Sequence, residues 1–166
     1  MGQTRDKPGG WGWTFRVLDP DADLSSLRLQ PELLDFLETW KALRQGRQAP
    51  ARPADLPGAF RRHLGWIALI ERAGDDYRFR LVGSHVVDMA GRDATGKCMR
   101  QLYAPQDAAA IIAECAQVFD GCACLYSDFM ARAPGRDFIR IAGLALPLAA
   151  DGRTVDILIS RYVIVD

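Results

Sequence analysis

From Tyr77 to Gly83, apolar and charged side chains alternate: Tyr77, Phe79 and Leu81 take one set of positions, Arg78 and Arg80 the other. A period of two is that of a strand with one buried and one wet face. The run before it, residues 66–72 (WIALIER), makes a partner strand, and Ala73-Gly74-Asp75-Asp76 between the two is a turn-forming cluster. Three more strand-like runs close the chain, over 124–132, 137–148 and 154–165. Pro134-Gly135-Arg136 and Ala150-Asp151-Gly152-Arg153 separate them, and Asp-Gly between apolar runs is a strong hairpin signal.

The period turns helical in two places. Over Pro31–Gln45, Pro31 suits the first helical position, Glu32 the first turn, and Gly46 can close the end. Leu33, Leu37 and Trp40 fall on one face, with Leu34 and Leu43 beside them. Over residues 105–119, Pro105 marks the start and Asp120-Gly121 the stop, and Ala108, Ile112, Cys115 and Phe119 share a face. Between the two helices, three prolines in residues 44–58 impose an extended connector, because each restricts the residue before it. Residues 59–64 suit a short helix, and Gly91 and Gly96 break the stretch after Gly83 into short helical pieces. In residues 1–24, Trp11, Trp13 and Phe15 alternate, which fits an edge strand or an arm laid on the body; a loose terminus with anchoring aromatics fits as well.

This order predicts an α+β fold, a five-stranded antiparallel sheet with helices on one face, preceded by an N-terminal helix. The chain divides into an arm (1–30), a helix with its proline-rich connector (31–58) and the main domain (59–166).

At 166 residues one domain is expected, large enough to bury a core without staples. Formal charge balances to zero, so the broad basic field that drives nucleic-acid binding is missing. The start has no apolar run of signal-peptide type and no stretch suits a membrane span, so a cytoplasmic protein is expected, without membrane partners. In that compartment Cys98, Cys115, Cys122 and Cys124 read as thiols. The Cys122-Ala123-Cys124 run has no second pair and no nearby histidine to complete a zinc site. Ser84, Ser127 and Cys98 lack a histidine–acid pair at recognisable spacing, and Asp75-Asp76 is explained by turn chemistry. The stretch Gly91–Gly96 is not followed by the Lys-Ser/Thr pair of a phosphate loop, because Cys98 stands after Lys97. No catalytic set emerges.

Two longer patterns are more specific. Trp40, Leu43, Arg44, Gly46 and Arg47 lead into a connector carrying Pro50, Arg52 and Asp55. Later come Arg78, Arg80, Leu81, Val82 and Gly83, then Gly91, Arg92, Asp93, Thr95 and Gly96. In these patterns the chain resembles a family of small, mostly standalone bacterial PAS-domain proteins, over about residues 33–165. The resemblance implies a sensory or regulatory fold without supplying a ligand, and PAS domains often hold a small molecule between the sheet and its helices; the alternative is a constitutive interaction module with a filled core. Phe79, Leu81, Val86, Met89, Tyr103, Ile112, Cys115, Phe119, Tyr126, Ile139 and Ile159 are the candidate lining, although a filled core would use the same residues.

Flavin-binding relatives place a reactive cysteine in a Gly-x-Asn-Cys-Arg run and read the ring with Asn and Gln on later strands. Cys98 stands one position early, and residues 124–165 contain neither amide. Haem relatives use a histidine on the long helix; residues 105–119 have none, and His85 lies after the second strand. Neither cofactor is expected. Arg80, Arg92 and Asp93 suit an ion-paired latch between strand and helices, with anion contact by Arg80 or Arg92 as the alternative. A homodimer joined through Leu33, Leu37 and Trp40 is expected, acting in trans on a protein partner.

Overall fold

The computed structural model describes residues 13–133 and 135–165. Trp11, counted above among the alternating aromatics, and Pro134, read as a turn residue, lie outside them. The strands are β1 (Thr14–Leu18), β2 (Ile67–Ala73), β3 (Asp76–Val82), β4 (Cys124–Ala133), β5 (Arg136–Leu148) and β6 (Ile157–Val165). The helices are α1 (Pro31–Arg44), α2 (Leu56–Ala59), α3 (Ser84–Ala90), α4 (Met99–Leu102) and α5 (Pro105–Gly121). The fold is α+β, as expected, with the five predicted strands present as β2–β6. A sixth, β1, pairs antiparallel with β4 on the outer edge, in the order β1-β4-β5-β6-β2-β3. The alternating aromatics therefore mark an edge strand, and residues 14–18 belong to the sheet rather than to a separate arm.

The sheet is covered on both faces, and this corrects the expectation that helices lie on one. On one face α1 buries Leu33, Phe36, Leu37 and Trp40 against Ile67, Leu69, Leu144, Leu146 and Ile159. The Trp40 indole Nε1 also donates to the Pro147 carbonyl at 2.7 Å, a bond from α1 into β5. Leu33 and Trp40 are 0% exposed and Leu37 is 2% exposed, so the stripe expected to join two subunits is the protomer's own core. Its width has an intramolecular cause: a helix laid on a sheet buries an apolar stripe about 100° wide or more. Leu34 is the member left outward.

The first sequence pattern builds this docking. Arg44 pairs with Asp21 through two nitrogens, at 2.5 and 3.1 Å. The connector is then stitched to the end of β5, where the Ala149 amide donates to the Pro50 carbonyl at 2.9 Å. Asp55 caps α2 by accepting from the Gly58 amide.

A buried polar chain crosses the same layer. The Arg161 guanidinium, on β6, donates to His63 Nδ1 at 3.2 Å and to the Tyr162 carbonyl. His63 Nε2 lies 3.0 Å from Asp35 Oδ2 on α1. Burial, then the Arg161 charge, hold the His63 pKa below its ordinary 6.5. The unfolded imidazole thus takes up its proton at higher pH than the folded one. The stability His63 contributes is present above about pH 6.5 and is lost as pH falls below it. Urea melts at about pH 7.5 and about pH 5.5 should show a loss on acidification that is smaller in a His63→Gln variant. Equal losses in both proteins would place the titrating group elsewhere.

Candidate ligand-binding cavity

The opposite face of the sheet is less tightly filled. Ala68 and Ile70 of β2, Leu125 of β4 and Leu158 of β6 pack there against Met99, Leu102, Cys115, Val118 and Phe119 of α4 and α5. Toward β4 and α3 the two layers separate and leave a cavity of about 610 Å³. Its apolar walls include Phe79, Val82, Val86, Met89, Met99, Leu125 and Phe129. The polar groups in its lining are Arg92, Asp107, Glu114, Ser127, Ser160 and the hydroxyls of Tyr103 and Tyr162. A few polar groups in a mostly apolar concavity of this size are what small-molecule sites share.

Local sequence explains how the walls arise. Gly143 pairs with Ser127 on one side and Tyr162 on the other. A Cβ at this position would lie 2.8 Å from Ser127 Oγ and 3.0 Å from the Tyr162 ring. Its absence lets the tyrosine lie across β5, where Ser160 hydrogen-bonds the phenol. Gly83 opens α3: a Cβ there would sit 2.5 Å from the Leu64 and Gly65 carbonyl oxygens. Only a glycine lets the chain turn this close from β3 into the helix that carries Val86 and Met89. The loop after α3 is tied to β3 by the Phe79 amide donating to Lys97 and the Gly96 amide donating to Phe79.

Five of the eleven candidate lining residues border the cavity: Phe79, Val86, Met89, Tyr103 and Cys115. The other six lie elsewhere, for definite reasons. Leu69 pairs with Leu81 but Ile70 pairs with Phe79, so Arg80 is the extra residue of a β-bulge. The bulge reverses the alternation, which turns Leu81 to the far face, 42% exposed, and brings Val82 to the cavity. Tyr126 and Ile159 sit on the α1 side of their strands, within that core. Ile139 packs in a small cluster with Phe129 and Ile141. Ile112 is on the outer edge of α5, beside Pro105 and Ala109. Phe119 fills the core beyond the cavity, with its ring 5.0 Å from that of Tyr77.

The expected latch of Arg80, Arg92 and Asp93 does not form. Arg80 lies 3.5 Å from Glu71, which also pairs with Arg78, on the face away from the cavity. Asp93 accepts from the Thr95 amide. Arg92 alone of the three reaches the cavity; it donates to the Leu102 carbonyl at 3.0 Å and lies over the Tyr103 ring.

Burial pushes the Cys115 thiol up to about 12, and it raises the pKa values of Tyr103 and Tyr162. The inner wall is therefore uncharged at neutral pH, and among the described residues charge in the lining is carried by Arg92, Asp107 and Glu114. Among the described residues the lining carries no histidine, Asn or Gln, Cys98 is outside it, and His85 packs outside against Trp66 at 5.1 Å. Cys124, on the other face, is also pushed up to about 12 by burial. Among the described residues no group of His, Cys, Asp and Glu is arranged to hold a metal, and no helix is long and apolar enough to cross a membrane.

A family model described as PAS domain matches residues 29–161, from just before α1 to the middle of β6. The chain belongs to the PAS domain family. No curated protein and no solved structure matches it. The matched region of this PAS domain includes the whole α1 layer, and β1 with Trp13 stands outside it. Trp13 is also the cavity wall that sequence reasoning missed, together with Val82, Met99, Ser127, Ser160 and Tyr162. The alternating aromatics pointed to an edge strand but gave no sign of what it would lie against.

Proposed function

We propose that this PAS domain is a non-catalytic sensory or regulatory module that binds a small, mostly apolar molecule in the cavity between sheet and helices. Binding is read out through contact with a second protein. The observation that carries this reading is the 610 Å³ cavity itself, whose inner wall combines apolar side chains with uncharged hydroxyls. Signalling is supported by the short helices α3 and α4 over the cavity. Val86 and Met99 line it, while Ser84, His85 and Asp88 on α3 face solvent, so a change in occupancy is transmitted across one side chain's thickness.

Ala145, half-buried on β5 in the cavity wall, gives the test. Extending a side chain in a filled core costs about 1–3 kcal/mol. With open space before it, Ala145→Leu should leave the denaturant midpoint unchanged within error and weaken binding of naphthalene, measured by calorimetry. A variant destabilised as in a filled core, together with no naphthalene binding to the wild type, would overturn the reading.

A further inference from the structure

The Trp13 indole N–H is buried and has no hydrogen-bond acceptor among the described residues. Such donors are rare in native folds, because an unpaired buried N–H keeps its full desolvation cost. Pairing of β1 with β4, Thr14 opposite Asp128 and Phe15 opposite Ser127, carries Trp13 to the cavity rim. There its ring stacks on Phe129, centroids 3.9 Å apart, and meets Tyr103 edge-on at 6.4 Å. The ring is thus fixed by two aromatic neighbours and by the strand behind it, and it forms part of the cavity lining.

Resting on the reading of the cavity as a ligand site, the geometry points to Trp13 as the hydrogen-bond donor that recognises the ligand, a planar and largely apolar molecule with an uncharged acceptor such as a carbonyl oxygen or ring nitrogen. Planarity follows from the walls: Trp13, Phe15, Phe79, Phe129, Tyr103 and Tyr162 present ring faces and edges, which pack flat π-systems in offset or edge-on contact. The acceptor follows from the indole, which can only donate. Lack of charge follows from the charged lining. Among the described residues Arg92 is the cation of the lining, already committed to the Leu102 carbonyl and the Tyr103 ring, and two carboxylates, Asp107 and Glu114, share the lining with it. The deep polar groups, Tyr162 with Ser160, are neutral hydroxyls, and a full charge set against them would lack a counter-ion.

A matched pair of probes separates this inference from the reading it rests on. 2-Acetylnaphthalene and 2-ethylnaphthalene have nearly the same size and shape, and only the first carries an acceptor. Titrated calorimetrically into the full chain, the ketone should bind at least about fivefold more tightly than the hydrocarbon, the ratio a neutral hydrogen bond to a buried donor supplies. Trp13→Phe, which keeps an aromatic ring on Phe129 but loses the N–H, should abolish the preference, so that ketone and hydrocarbon bind it with equal affinity. Trp13→Tyr, with its hydroxyl displaced from the indole nitrogen, should likewise fail to restore it. If both probes bind the wild type equally, water satisfies the indole and the inference is wrong although the cavity stands. If neither binds, the cavity reading fails with it. A preference that survives in Trp13→Phe would assign the donor to another group.

Discussion

Replacing Trp40 with alanine is expected to destabilise the domain by about 3–5 kcal/mol, the range for deleting a large buried aromatic. Its ring is fully buried between α1 and the sheet, with Arg44 stacked 5.1 Å from its centroid. Truncation also removes the donor to the Pro147 carbonyl. Trp40→Phe separates the two contributions: it keeps most of the packing and should cost about 1–3 kcal/mol, chiefly from the unpaired carbonyl. Chemical denaturation of the three proteins measures both. Sedimentation of Trp40→Phe completes the test, since a core residue should leave the state of association unchanged. A folded, stable Trp40→Ala protein that merely loses a partner copy would return this side chain to a subunit interface.

Phe119→Ala should cost a similar amount, about 3–5 kcal/mol, on the other side of the sheet. Phe119 closes the end of α5 against β3, where its ring packs on Tyr77 and Arg72 lies 5.2 Å above it. Arg72 is held there by Asp120 at 2.8 Å, so loss of the ring also removes the surface that this ion pair rests on. Since Phe119 lies beyond the cavity, its loss should lower stability without selectively weakening naphthalene binding at saturating folded protein. A cost below about 1 kcal/mol would mean that α5 does not pack as described.

The features of the sequence that translated best were those with a local physical cause. Pro31 and Pro105 start their helices, and Gly46 and Gly121 stand at the ends. The turn of β2 into β3 falls at Gly74, as its composition implied. What failed was the assignment of faces. Alternation tells which residues share a face only when one face is wet, and this sheet is covered on both. Leu125 and Tyr126 are neighbours in sequence and both buried, one toward the cavity side and one toward α1, and nothing in the run marks which is which. Ile159 went the same way. In β3 the bulge at Arg80 reversed the phase after Phe79, a local event that a strict period of two cannot register. On α5 the buried centre lies toward Ile111 and Val118, which leaves Ile112 at the rim although it falls on the same row as Ala108 and Cys115.

The α1 stripe failed for a related reason. Its breadth implied burial, and burial it has, but a helix face cannot say whether the covering surface comes from its own chain. Once the sheet is seen to offer a second apolar face, α1 is the element that covers it. The candidate cavity stands on the other side, bounded by α3, α4, α5 and the β1 edge.

The central claim, that the space before Phe79, Cys115, Phe129 and Tyr162 is a ligand site, is tested most directly by a crystal structure of the protein purified under native conditions. The expected result is enclosed non-protein density in contact with the Trp13 and Phe129 rings. Side chains collapsed into continuous packing across the same space would contradict it.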